Sequence, residues 1–260
     1  MTDIVTVPAK RACADCGLRG KAHCRFAALD GVRLRRLAKG ETILHEGEAP
    51  ERLILLRAGY LRMLRFGSDG DRVMMELLGA GDVVPAFPGR ALGFSVEAAS
   101  DAEVCDISGA SFRKAFRQDR ALRHKILDNA AGHLWRLQEA ILLRGRLTSR
   151  ERVIAFLVRA TECMPAERQP DGAVVVTMQV SRGDWADMSD TTVETVSRVV
   201  SALGAEGLVE TLARHRYRIP DVARLRRMAR LDPARQDRPP AVAPWMVLGP
   251  AVEARAARHR

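Results

Sequence analysis

No stretch of this chain comes near the twenty or so consecutive apolar residues that a membrane-spanning helix needs. The opening residues, MTDIVTVPAKRA, hold no apolar core of the kind a secretory leader uses. A cytoplasmic protein with no membrane partner is therefore expected. A disulfide framework is not expected either, because five cysteines in a reducing compartment do not build one. Nor does any acid–base constellation accompany the single Cys-x-x-Cys pair, Cys13-Ala-Asp-Cys16, which also lacks the βαβ setting of a thiol redox enzyme. The expectation is a protein that is not an enzyme. Acid is in short supply too. Lys and Arg number 42 against 32 Asp and Glu, and the net charge of +10 favours a polyanionic partner without naming it. Half of that excess sits in the last forty residues, with nine Arg against four acids.

What remains is a chain of 260 residues, 47% hydrophobic, long enough for two modest domains. Its most informative stretch is Val180–Gly207, VSRGDWADMSDTTVETVSRVVSALGAEG. Ser181, with Asp184 three residues on, predicts the cap of a first helix. Met188-Ser189-Asp190 breaks the apolar pattern, and Thr191 with Glu194 predicts the cap of a second. In that second helix Val193, Val196, Val199, Val200 and Leu203 share one face, and Glu194, Ser197, Arg198 and Ser201 share another. Two short helices around a polar turn, the second with a row of hydrogen-bonding side chains, describe a helix-turn-helix DNA reader. An ordinary helical hairpin with a solvated face is the plainer alternative. Further on, Leu208–Glu210 and Tyr217–Ile219 read as strands around the basic loop Ala213-Arg214-His215-Arg216, a wing. Arg198 is the candidate for base readout, since a guanidinium bonds guanine O6 and N7 together. Glu194 can accept from cytosine N4 or adenine N6, or cap its own helix. Ser197 can bond a base edge or a phosphate, and Arg214 a phosphate.

From Lys39 to about Ile107 the signals are short strands and glycine turns. Thr42–Leu44, Leu53–Leu56, Tyr60–Phe66, Val73–Leu78, Val83-Val84, Phe94–Ala98 and Ala102–Ile107 are the candidates. Their spacing suggests an antiparallel sandwich or jelly roll. The apolar residues from Phe26 to Ala38 suggest a short helix leading in. A long helix is predicted from Asp119 to Arg144. In it Leu127, Ala130, Leu134, Leu137 and Ile141 alternate at spacings of three and four, an a/d seam containing no charge. The seam can pair two chains or pack on the chain's own sheet. Gly145–Thr148 reads as a hinge, and Thr148 with Glu151 caps the next helix, Ser149 to about Cys163. A last short helix, Val222 to Leu231, precedes a tail rich in Pro, Ala and Arg with no sustained period, for which disorder is expected.

Three of the five cysteines crowd together as Cys13, Cys16 and Cys24, a C-x2-C-x7-C run whose thiolates can converge on one metal centre. Cys105 and Cys163 are the candidates for a fourth ligand. Spacing alone does not separate zinc from an iron–sulfur cluster, and a strand cysteine such as Cys105 is commonly plain core. His23 and His45 read as solvated.

Taken together, residues 10 to about 230 resemble the Crp/Fnr family of bacterial regulators. Arg182-Gly-Asp184, Thr192-Val-Glu-Thr-Val-Ser-Arg198, Gly207-Leu208 and Tyr217-Arg-Ile219 carry the likeness in the DNA-binding half. Gly40-Glu-Thr-Ile-Leu-His-Glu-Gly47, Leu56-Arg-Ala-Gly-Tyr60 and Gly79-Ala-Gly-Asp82 carry it in the sensor half. Ser189-Asp190-Thr191 departs from it, standing where relatives have an apolar residue, a glycine and a small or apolar residue. The resemblance implies an α+β fold with a β-roll sensor, a long dimerisation helix and a C-terminal winged helix-turn-helix. The expected domains are a cysteine segment at 1–38, a roll at 39–118, the dimer helix at 119–145, the DNA-binding domain at 146–230 and the tail at 231–260. Cyclic-nucleotide binders of the family carry a Gly-Glu pair followed by Arg-Ser or Arg-Thr. The corresponding VVPAFPGRALGFSVEAAS has neither, and its one Arg90 precedes alanine. A phosphate buried without its arginine is costly, so no cyclic nucleotide is expected. The iron–sulfur members place three cysteines ahead of the roll and a fourth on one of its last strands. Cys13, Cys16, Cys24 and Cys105 match those positions, which implies a [4Fe-4S] cluster used to sense oxygen. Cys163 has no counterpart. The resemblance further implies a homodimer acting on double-stranded DNA with RNA polymerase as a partner, and Glu-x-x-Ser-Arg implies half-sites of the TTGAT type.

Overall fold

A computed structural model describes residues 32–67 and 72–231. Cys13, Cys16 and Cys24 lie outside the described residues, as does the tail from 232 on. The described chain divides into two units, one ending at Leu134 and the other beginning at Trp135.

Seven strands build the first unit: β1 Val32–Leu37, β2 Thr42–Leu44, β3 Arg52–Ala58, β4 Leu61–Phe66, β5 Arg72–Leu78, β6 Ser95–Ala98 and β7 Ala102–Ser108. They form a three-stranded sheet, β1-β7-β3, and a four-stranded sheet, β2-β6-β4-β5, with antiparallel pairing throughout. Leu37, Ile54, Leu56 and Val104 of the first sheet share one core with Leu44, Leu61, Leu78 and Val96 of the second, which makes the unit a sandwich. In β3 the residues of both faces are apolar, because Leu53 and Leu55 have a second layer to cover them. That layer contains Phe112 of α1, Gly109–Gln118, and Leu122 and Ile126 of α2, Arg120–Arg146. Between β3 and β4, Gly59 sits at φ +79°, where a Cβ would lie 2.2 Å from the Asp101 carbonyl oxygen. No other residue fits that turn.

Several expectations change here. The helix predicted up to Ala38 is, over its described part, strand β1. Leu34 faces Cys105 across the ladder, and the arginines between the apolar residues point alternately rather than in helical rows. Val83-Val84 is not a strand. It reaches the sheet through one bridge to Leu55, and Pro85 removes the next donor. Helix α1 has no counterpart among the elements expected above. The long helix continues through Gly145 to Arg146, so the break falls at Leu147-Thr148.

One buried polar cluster fixes α2 on the roll. The Asn129 Oδ1 accepts from the Val83 N–H at 3.1 Å. The His133 Nε2 lies 2.9 Å from the Val83 carbonyl oxygen and 3.1 Å from that same Asn129 Oδ1. Both are acceptors, so Nε2 carries a hydrogen. On the other side of the ring Nδ1 stands 2.9 Å from a Glu76 carboxyl oxygen, and all three side chains are buried.

The second unit is centred on α3, Ser149–Cys163, in which Val153 to Val158 are all buried. The predicted capping box is present, and its hydrogen bonds from Thr148 hold the Glu151 carboxyl below the usual range. Next come β8 Ala166–Arg168, β9 Val174–Thr177, α4 Arg182–Met188, α5 Val193–Ala205, β10 Glu210–Ala213, β11 Arg216–Ile219 and α6 Val222–Met228. The strands form one antiparallel sheet in the order β10-β11-β9-β8. The β8–β9 hairpin was not among the expected strands, although Asp171-Gly172 ahead of three valines signals it, with Gly172 at φ +85°. The first wing strand lies further on than expected, at Glu210–Ala213 in place of Leu208–Glu210, because Leu208 and Val209 are buried as the chain leaves α5.

Glu76→Ala should destabilise the first unit by about 3–5 kcal/mol, since it leaves a buried imidazole without its carboxylate. Urea unfolding of the full chain measures this, and the Glu76→Ala/His133→Ala double variant should lose less than the sum of the single losses.

Candidate nucleic-acid interface

The two helices that position the site are set by their caps. The Ser181 hydroxyl donates to Asp184 Oδ2 at 2.6 Å and accepts from the Asp184 N–H at 3.1 Å, starting α4 as predicted. The second cap falls one residue later than expected. Thr192, not Thr191, caps α5 and accepts from the Thr195 N–H at 3.2 Å.

Between the helices lies the turn Ser189-Asp190-Thr191. Asp190 adopts φ 49°, a left-handed conformation that glycine takes without strain. Arg152 of α3 holds that turn. Its Nε donates to the Ser189 carbonyl at 2.7 Å and its Nη2 to the Asp190 carbonyl at 2.9 Å. The same guanidinium donates through Nη1 to the Leu147 carbonyl at 2.7 Å and faces the Asp190 carboxylate at 3.7 Å. The departure from the family pattern at this turn thus comes with a carboxylate beside the arginine.

In α5, Val196, Val199, Val200 and Leu203 are buried against the unit. Val193, expected with them, is 41% exposed because it opens the helix before the buried stripe begins. On the outer face Glu194, Arg198 and Ser201 are exposed and Ser197 is half-buried. The Glu194 carboxyl is held below its usual range, first by its own backbone N–H, then by the Thr192 hydroxyl, with the Arg198 charge adding to them. In the free protein, then, Glu194 serves its helix N-terminus. Among the described residues Arg198 makes one hydrogen bond, a long 3.4 Å contact to the Thr195 hydroxyl. Ser197 receives a hydrogen bond from Arg182 Nη1 at 3.1 Å. Arg214 is exposed in the turn between β10 and β11, and Arg216 is the first residue of β11 rather than part of the loop.

Arg182 entered the sequence reading only as part of the family likeness, with no role of its own, and Arg152 did not enter it. A signal existed for Arg182: a cation in the first turn of a helix opposes the helix dipole and calls for a separate reason.

The metal candidates are only partly described. Cys105 is 9% exposed on β7, the central strand of its sheet, in a cluster with Leu55, Ile107, Leu122 and Ile126. Among the described residues no group of three His, Cys, Asp or Glu is placed to hold a metal ion. Strand β1 begins at Val32 opposite Ile107, two positions from the Leu34–Cys105 pair, or about 7 Å along the strand. Cys24 precedes Val32 by eight residues, a span of up to ~27 Å when extended. Cys163 ends α3, and burial pushes its thiol up to about 12, with a lesser push from the Glu162 charge. On α2 the seam residues lie outward. Leu127 is 62% exposed, Leu134 58% and Ile141 70%, with Ala130 also exposed and Leu137 half-buried.

Known proteins share this arrangement. Residues 34–119 match the cyclic nucleotide-binding domain family, and residues 151–228 match the Crp-like helix-turn-helix domain family. The transcriptional activator protein FnrL of Cereibacter sphaeroides is 27% identical over 82% of this chain and 90% of its own length. The transcriptional regulator LdrP of Thermus thermophilus is 30% identical over 75% of this chain and 96% of its own. Among solved structures, FixK2 from Bradyrhizobium japonicum superposes with a TM-score of 0.68 at 27% identity, covering 75% of this chain and 96% of that one. With a two-sheet roll, a long helix and a capped helix-turn-helix in the same order, the chain belongs to the Crp/Fnr family of DNA-binding transcription regulators.

Proposed function

We propose that this regulator is a cytoplasmic homodimer that senses oxygen through a [4Fe-4S] cluster held by Cys13, Cys16, Cys24 and Cys105. We further propose that it reads a palindromic site with TTGAT-type half-sites and acts on RNA polymerase. The observation that carries the sensor half is the place of Cys105. It belongs to the layer in which β7 packs on Leu122 and Ile126 of α2, and β1 runs beside it toward the cysteine segment. Four thiolates suit such a cluster, and the chain between Cys24 and Val32 is long enough to bring them together. When bound, the cluster supplies a centre that oxygen degrades. The protein's own part is mechanical: Cys105 ties the cysteine segment to a strand that shares its packing layer with α2.

The same helix supports the dimer. Its inner residues are spent on the roll, and the apolar stripe from Leu127 to Ile141 faces outward on a single chain. Burying it against a second copy favours pairing by several kcal/mol at ~25 cal/mol per Å² before association costs. A palindrome then requires two recognition helices about 34 Å apart. We propose an effector other than cyclic nucleotide, a reading supported by the stretch after Asp82, whose one arginine, Arg90, is exposed and followed by alanine.

Protein purified without oxygen should be brown, with about four iron and four sulfide per chain, and should bleach in air. Stoichiometric zinc without labile sulfide would instead mark a structural metal and overturn the oxygen reading. Cys24→Ser or Cys105→Ser should abolish the colour, whereas Cys163→Ser should leave it intact. Leu137→Asp buries two carboxylates against each other and should abolish the dimer in sedimentation together with specific DNA binding. Arg198→Ala should weaken specific binding by about 1–3 kcal/mol while sparing random DNA, whereas Arg214→Ala should weaken both alike.

A further inference from the structure

Arg182 opens α4, on the helix that precedes the recognition helix, yet its guanidinium is spent on two hydroxyls. Nη1 donates to Ser197 Oγ at 3.1 Å, and Nη2 donates to Tyr217 Oη at 3.2 Å. The Tyr217 end is fixed. Its ring is 1% exposed and stands edge-on to Trp185 with centroids 5.9 Å apart. The Trp185 indole N–H in turn donates to the Val153 carbonyl at 3.3 Å. A guanidinium has only donors, so Ser197 Oγ must accept at this contact. No other partner of Ser197 Oγ is present among the described residues, and its one O–H is left to donate.

We propose that Arg182 is a positioning residue that sets the hydrogen-bond polarity of Ser197: with one lone pair occupied and a cation beside the other, the hydroxyl turns its O–H to an acceptor atom on a major-groove base edge. The inference rests on the reading of α5 as the recognition helix and deepens it. Thymine O4, guanine O6 and N7 and adenine N7 are acceptors, whereas cytosine offers only its N4 donor. As a donor, Ser197 therefore discriminates against cytosine at the base it meets. It sits between Glu194 and Arg198 on the outer face of α5, and only half of it is covered, so a base edge can reach it. A phosphate oxygen is also an acceptor but carries no sequence information.

The test is selection of bound sites from a randomised palindromic DNA library, using the full chain purified without oxygen. Ser197→Ala should lower the preference for an acceptor-bearing base at one position of the half-site, by about fivefold or more. Arg182→Met keeps the stem and removes the donors. It should lower the same preference at the same position, add nothing further to Ser197→Ala, and leave the base read by Arg198 unchanged. Tyr217→Phe, which keeps the ring, should lower that preference to a smaller extent and stands in if Arg182→Met does not fold. Uniform weakening across all sequences, with the salt slope reduced by about one, would make Arg182 a phosphate contact and overturn the proposal. Additive losses in the double variant would overturn it as well. If Arg198→Ala leaves the selected sequences unchanged, the reading of α5 fails and the proposal falls with it.

Discussion

The setting of helix α2 depends on one buried polar cluster. Apolar contacts such as Leu122 and Ile126 on the sheet tolerate a small slide or rotation, because dispersion has no direction. Asn129 and His133 do not. They bond Val83 and Glu76 at only one rotation of the helix about its axis. A mismatch would leave buried polar atoms unpaired, which is more costly than the bonds are favourable. With that rotation set, Leu127 and Leu134 come to lie on the adjoining face, away from the roll. The character of the outward stripe thus follows from what the inward stripe must satisfy.

The second unit solves a different problem, holding a small helix pair rigid enough to present a row of side chains. Three aromatic rings do much of this. Trp185 of α4 packs on Phe156 of the central helix and on Tyr217 of the wing, at centroid distances of 5.8 and 5.9 Å. Arg152 adds the directional part, binding the turn between the reading helices and the carbonyl of Leu147 with one planar group. Planarity matters, since a lysine at that position has no fork with which to reach several carbonyls at once.

How much of this was legible in the sequence follows from how local each signal is. The caps Ser181 and Thr148 announce themselves through an acid three residues on, and both helices begin where those pairs place them. Thr191 carries the same signal, with Glu194 three residues on, yet its neighbour Thr192 is the cap. Only the backbone, extended at Thr192, decides between them. Strand β1 was read as helix because its arginines at 33, 35 and 36 blur a period of two into one near three. The outer face of α5 was visible from spacing alone, yet its link to Arg182 was not, because fifteen residues and a turn separate Arg182 from Ser197. The polar cluster under α2 was invisible for the same reason. Glu76 and His133 are 57 residues apart, and nothing in either neighbourhood marks the other.

The end of α3 carries a further consequence for thiol chemistry. Burial pushes the ionisation of Cys163 up to about 12, so its thiol stays protonated at neutral pH. Electrophiles, peroxides and soft metal ions act on the thiolate, so this sulfur is a poor target for them in the folded chain. A protein whose other cysteines are candidates for metal ligation can thus carry a fifth one without supplying a competing ligand or a site for crosslinking to its neighbours.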